Sequence, residues 1–250
     1  LPLLPFAVLG GALAFMAYMI PRRKAEAKAL EDAQQREAAD LAADEVRQSV
    51  KESLKTAEIE LCLGKQVASS FMRSHNELTQ RVSKMRRHFA KQYGFIVPEI
   101  KLTDDLSIPP KTYQIKIHGT VVAGEELRIG DVLVVTGEGP RPDVPGDETR
   151  EPAFGMKAMW VSEAFINNVK REGFAPVDNM SVLLTHMREV IRNNLAQLLS
   201  YKDMRTLLDQ LEPEYKRLIE EMIPSQLSYS GLQAVLKLLL AERFSLRNLH

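Results

Sequence analysis

Residues 58–63, Glu58-Ile59-Glu60-Leu61-Cys62-Leu63, alternate charged and apolar side chains in the manner of a half-buried strand, and Gly64 supplies a flexible exit. The period then changes. Phe71, Leu78, Val82, Met85 and Phe89 return at helical intervals up to Tyr93, where Gly94 ends the helix as glycine commonly does. A strand running into a long amphipathic helix makes mixed α and β structure the starting expectation.

Downstream, short β-rich runs are expected at Phe95 to Leu102, Thr112 to His118, Thr120 to Val122 and Asp131 to Val135, punctuated by Pro98, Pro109, Pro110 and several glycines. Gly137 to Asp147 reads as a turn-rich loop, without the Gly-Lys-Ser/Thr ending of a phosphate cradle. A short helix is expected from Ser162 to Arg171, closed by Gly173. A long one starts at Asp178 or Asn179 and runs to Leu199, burying Val182, Leu183, Met187, Ile191, Leu195 and Leu198. Further helices follow at Tyr201 to Leu211, Pro213 to Met222 and Ser230 to Glu242. Strands wedged between helices, then helices alone, give an α+β fold class with an α part at its end.

Upstream, Leu1 to Ile20 carries no formal charge and runs directly into Arg22, Arg23 and Lys24. At about 1.5 Å rise per residue such a run covers the roughly 30 Å core of a bilayer. The basic cluster places the following segment in the cytoplasm; a buried core helix is the alternative. A secretory signal is excluded by the missing basic n-region and cleavage site. No Met opens the chain and Leu246 to His250 stop inside an apparent element, so both ends read as cut. Residues 21–56 form a charged linker, with equal numbers of basic and acidic side chains between Arg22 and Lys55 and no glycine.

The totals of 33 basic and 33 acidic side chains leave a formal net charge of +0, so no global field draws the protein to nucleic acid. The single cysteine, Cys62, excludes an intramolecular disulfide and a multi-thiolate metal site, and its apolar neighbours make it a small buried hydrophobe. His75, His88, His118, His186 and His250 show no His-Glu-x-x-His pairing, and no Gly-x-Ser-x-Gly elbow occurs. No catalytic constellation, metal site or cofactor site emerges. The basic group Lys84, Arg86, Arg87, His88 and Lys91 is either a solvated helix face or a surface for an acidic partner or lipid.

The other distinctive stretch is Arg150-Glu151-Pro152-Ala153-Phe154-Gly155, followed by Met159, Trp160 and Val161. Proline ahead of an aromatic and a glycine makes a stiff turn. That turn either plugs Phe154 into a core or presents it outward, where an apolar anchor beside a carboxylate suits protein recognition.

In order and spacing, several stretches together resemble the export-gate family of bacterial type III secretion, its flagellar branch in particular. They are the apolar run with Arg22-Arg23-Lys24; Arg81 to Gly94 with Phe95-Ile96-Val97-Pro98; Lys111-Thr112-Tyr113-Gln114-Ile115; Glu151 to Gly155 through Trp160-Val161; Gly173-Phe174 through Val177-Asp178; Thr185-His186; and Leu236 to Asn248. The resemblance implies a transmembrane helix at 1–20, a first cytosolic subdomain at 57–129 continued at 179–199, an inserted second subdomain at 130–178, and an incomplete helical third at 200–250. The family's upstream membrane helices and fourth subdomain would lie outside this stretch.

The resemblance further implies a non-enzymatic platform at the bacterial inner membrane, with its soluble part in the cytoplasm. There a ring, usually a homo-nonamer, receives export chaperones with bound flagellar substrates for translocation driven by the proton-motive force. Other membrane proteins of the export apparatus and its ATPase complex are the further partners implied. Flagellar members dock chaperone complexes in a hydrophobic dimple through an Asp-Pro-Ala-Phe motif and a later Thr-His pair. By motif match these positions are Glu151, Phe154 and Thr185, with Glu keeping the charge of Asp on a longer arm. The alternatives are an injectisome gate and, more distantly, a membrane-tethered enzyme with a deep pocket of shifted titratable groups.

Overall fold

The computed structural model describes residues 57–72 and 74–247. The expected span at 1–20 and the linker at 21–56 lie outside the described residues. Among the described residues no helix is long and apolar enough to cross a membrane. The described residues build mixed helices and sheets, an α/β arrangement with helices following at its end.

The strand at β1 (Ile59–Leu63) is central to a four-stranded sheet ordered β2-β1-β3-β4, with β2 (Ile100–Asp104), β3 (Thr112–Ile117) and β4 (Thr120–Glu126). β1 runs parallel to β2, which it reaches through two intervening helices, and antiparallel to β3, while β3 and β4 form a tight hairpin. The hairpin turns on His118 and Gly119, both at positive φ (48° and 79°), as a two-residue turn matched to strand twist requires. Ile59 and Leu61 face the same core as Tyr113, Ile115 and Ile117.

The first helical stretch is two helices, α1 (Lys65–Met72) and α2 (His75–Tyr93), rather than one. Phe71 and Leu78 are both buried, so the break re-aims the second helix without surrendering the apolar stripe. Gly94 closes α2 in the left-handed conformation, with φ 86°. The expected strand from Phe95 is delayed until Ile100. Phe95 and Val97 are buried, but the Val97 carbonyl accepts from Arg86 Nε at 3.1 Å instead of joining a ladder, and Pro98 follows.

A second antiparallel sheet has the order β6-β7-β5-β8, from β5 (Asp131–Val135), β6 (Gly146–Arg150), β7 (Lys157–Ser162) and β8 (Pro176–Val177). Its residues alternate between two cores. Leu133, Ala158 and Trp160 join the main core, whereas Val132, Val134, Met159 and Val161 pack with Val169 of α3 (Ile166–Arg171) in a satellite cluster. The chain's tryptophan therefore ties the second sheet to the first. β6 was not expected as a strand; it overlaps the turn-rich stretch because an exposed edge strand, Gly-Asp-Glu-Thr-Arg, has no apolar alternation to read.

α4 (Asn179–Asn193) returns to the main core, burying Val182, Leu183, Met187 and Ile191, and the last expected turn is a separate short helix, α5 (Leu195–Leu198). Asp178 caps α4 by accepting from Ser181 N at 3.2 Å. Asn179 Nδ2 donates to the carbonyls of Arg128 and Asp131 at 2.9 and 3.0 Å. One amide thus staples the chain where it leaves β4 for β5 to the point where it comes back.

Helices α6 (Tyr201–Asp209), α7 (Pro213–Met222) and α8 (Tyr229–Ala241) complete the fold. Ser200 and Asp203 form a reciprocal capping box at α6. The segment after α8 folds back on α2: Leu246 is buried, its N–H donates to the Tyr93 carbonyl at 2.9 Å, and Ser245 Oγ donates to the Gln92 carbonyl at 2.7 Å.

Candidate docking site

The turn joining β6 to β7 is built by Glu151. Its carboxylate accepts from the backbone N–H of Ala153 at 2.6 Å and of Phe154 at 2.9 Å, one oxygen for each. Its own N–H donates to Met156 O and its carbonyl accepts from Gly155 N, both at 2.8 Å. Gly155 sits at φ 70°, which a residue with a Cβ adopts only with strain. Arg150 donates from its guanidinium to the Gly155 carbonyl at 2.9 Å. Every bond in the turn serves to fix the backbone at Phe154.

On that turn Phe154 is 57% exposed, while Glu151 is only 7% exposed. Of the two readings left open by the sequence, the structure places the aromatic outward. The acid is a different matter. Glu151 does not stand beside Phe154 as a surface charge for a partner, because both carboxylate oxygens already hold N–H groups of its own turn. Met156 is exposed as well, extending the apolar tip.

Beneath the turn lies a buried polar pair that the sequence reading missed. Tyr113 on β3 and His186 on α4 meet with the phenolic oxygen 2.6 Å from Nδ1 and the rings edge to face, 5.8 Å between centroids. Burial holds the His186 imidazole below its ordinary range, against the opposing pull of Glu125 and Glu151. Burial likewise pushes the Tyr113 phenol far up, helped by Glu125 and Glu151. A neutral imidazole accepting from Tyr113 is the arrangement these shifts favour. Both residues lie in stretches that carry the family resemblance, Lys111 to Ile115 and Thr185-His186, but neither stretch by itself encodes a contact with the other.

Thr185, adjacent to His186, points outward. Its hydroxyl donates to the Ser181 carbonyl one turn back at 2.7 Å, leaving the oxygen free to accept. It lines a groove of about 340 Å³ between α2 and α4, floored by Met85 and Leu184. Phe154 is not among the residues lining that groove. Thr185 makes no hydrogen bond to Glu151 or Phe154; what relates it to them is the Tyr113–His186 pair, in the field of Glu151 and next in chain to Thr185. Among the described residues no three His, Cys, Asp or Glu side chains converge to hold a metal. Cys62 is buried as expected, and burial raises its thiol pKa.

The FHIPEP family model matches residues 1–250. Flagellar biosynthesis protein FlhA of Caulobacter vibrioides is 30% identical over 249 residues, covering 100% of this chain and 35% of that protein. FlhA of Bacillus subtilis is 32% identical over 247 residues, covering 96% of this chain and 36% of that one. The chain thus spans about a third of the length of the curated relatives it matches. Among solved structures, Chlamydia pneumoniae CdsV superposes with TM-score 0.66 at 19% identity, over 78% of this chain and 57% of that chain. CdsV in complex with CdsO gives TM-score 0.67 at 20% identity, over 78% and 62%. Nonameric EPEC SctV-C gives 0.55 at 17%, over 78% and 57%. At these identities the structural likeness shows the fold alone.

Proposed function

The chain belongs to the FHIPEP family, and from that premise we propose that it is part of the flagellar type III export gate, a platform on which chaperone–substrate complexes dock before translocation driven by the proton-motive force. Leu1 to Ile20 anchors it in the inner membrane, and residues 57–247 work on the cytoplasmic side. The role is one of binding and hand-over rather than catalysis.

The observation that carries this reading is Phe154, 57% exposed on a turn whose backbone is held by both oxygens of Glu151. A preset aromatic loses little freedom on binding, so it supplies affinity as an anchor without a large interface. Glu151 contributes by fixing that anchor and Thr185 by offering a hydrogen-bond acceptor at a neighbouring rim. A shallow dock of this kind releases its cargo readily. In a ring, such as the nonamer described for EPEC SctV-C, repeated weak sites gain avidity through raised local concentration.

Titration of the full chain with a flagellar export chaperone, alone and carrying its substrate, tests the reading. Binding of the loaded chaperone and not of the empty one supports it; no binding of either removes it. An injectisome export gate is the second reading. The flagellar relatives at 30% and 32% favour the first. Loss of motility on deletion of the gene decides for the flagellum.

A further inference from the structure

The basic group on α2 has a use that the exposed Phe154 turn does not absorb. The fold splits that group. Arg86 turns inward and holds the Val97 carbonyl, whereas Lys84 and His88, one helical turn apart, line the groove that α2 makes with α4, together with Arg188. Met85 and Leu184 floor this groove at 3% and 9% exposure. Arg81 spans its end, paired with Glu77 and donating to Ser181 Oγ on α4 at 2.9 Å, so the distance between the helices is fixed.

Among the described residues Lys84, His88 and Arg188 make no ion pair or side-chain hydrogen bond, and all three are exposed. Two permanent positive charges and an imidazole therefore surround an apolar floor without a carboxylate among them. A solvated helix face normally intersperses both signs, and like charges gathered over a concave apolar surface repel one another until something anionic arrives. The volume of about 340 Å³ suits one or two side chains.

We propose that the groove between α2 and α4 docks an acidic amphipathic segment of the export partner, with an apolar side chain on Met85 and Leu184 and carboxylates on Lys84 and Arg188. Thr185 accepts a hydrogen bond at the rim. This inference rests on the docking role proposed above, since Thr185 belongs to both, and it adds the chemistry the partner must carry. A protein segment fits better than a lipid surface, because it delivers an apolar anchor and flanking carboxylates together at the spacing of a helical turn into a recess between two helices.

The test is fluorescence anisotropy of the full chain with a labelled helical peptide carrying a leucine flanked one turn away on each side by glutamate, and with its lysine counterpart. The acidic peptide is expected to bind, with affinity falling as salt rises. Lys84→Glu combined with Arg188→Glu is expected to lose about tenfold for the acidic peptide and to gain binding of the lysine peptide, whereas Lys101→Glu combined with Lys202→Glu, the same charge change at two exposed residues that do not line the groove, stays within about twofold. Thermal melting verifies that the variants fold.

Equal binding of both peptides to the wild type overturns the proposal, as does an unchanged affinity in the double variant. Binding only to phosphatidylglycerol vesicles overturns it in favour of a lipid. The two readings also fail separately. A loaded chaperone that binds wild type and double variant equally removes the groove and leaves the docking role standing; one that binds neither removes the docking role, while the peptide still decides the groove.

Discussion

The Tyr113 hydroxyl and His186 Nδ1, 2.6 Å apart in the interior, join the first sheet to α4 by a polar contact amid the apolar side chains of the main core. With the imidazole neutral, the phenol donates and the nitrogen accepts. Tyr113→Phe keeps the ring and its packing but leaves Nδ1 buried without a partner. Urea unfolding is expected to show a loss of about 1 to 3 kcal/mol, the cost of one stranded buried polar group. An unchanged midpoint would mean that water reaches His186.

The same pair makes stability depend on pH. Burial depresses the folded-state pKa of His186 below its unfolded value near 6.5. As pH falls through about 6.5 the unfolded chain takes up a proton that the folded chain refuses, so stability declines until the folded pKa is passed. Above that window both states are neutral and the group contributes no slope. His186→Gln retains an acceptor for Tyr113 and cannot titrate. Denaturation midpoints between pH 7 and 5 are expected to fall less steeply in this variant than in the wild type.

Gly94 is required twice, by its φ of 86° and by the closeness of the returning chain. A Cβ there would lie 2.6 Å from the Arg247 backbone nitrogen. The left-handed conformation alone costs a residue with a side chain about 1 to 2 kcal/mol. Gly94→Ala is expected to lose at least that much and to expose Phe244 to Arg247 to faster proteolysis, because the segment must move away from α2. Limited proteolysis with peptide mapping distinguishes this from a uniform loss of stability.

Much of the fold was legible because burial dictated period. Ile59, Leu61, Leu63 and the stripe of α4 are buried where their spacing placed them, and Gly94 and Gly173 both take positive φ at helix ends. What the sequence concealed had weaker signatures. The break between α1 and α2 falls at Ser74, three residues before Glu77, a helix-start pattern hidden inside a continuous apolar stripe; the structure shows no side-chain cap there. β6 has an exposed edge and no alternation. For the site, Phe154 was legible as a residue on a stiff turn but not as in or out. The inward use of Glu151 and the Tyr113–His186 contact depend on segments distant in sequence, which no local pattern encodes.

Glu151 holds Phe154 through two backbone N–H groups, so its substitutions act on the turn. Glu151→Ala is expected to lose about 1 to 2 kcal/mol in stability, since two partly buried donors lose their acceptor. Glu151→Asp is expected to be mild, because aspartate also accepts from N–H groups shortly downstream. Hydrogen exchange at the amides of Ala153 and Phe154 reports this directly: faster in the alanine variant, near wild type in the aspartate variant.

Phe154→Ala separates the anchor from the fold. With 57% of the residue exposed and its backbone bonds independent of the ring, thermal melting is expected to change little. Affinity for the loaded chaperone is expected to fall by about 1 to 3 kcal/mol, the range of a moderate interface anchor. Glu151→Ala should weaken the same interaction by less, since the aromatic survives and only its presetting is lost. If the two substitutions are combined, the losses should not add: once the ring is gone, fixing its backbone contributes nothing to the dock. Additive losses in that double-mutant cycle, read by calorimetric titration, would show that the Glu151 carboxylate meets the partner itself and that the turn opens when cargo arrives.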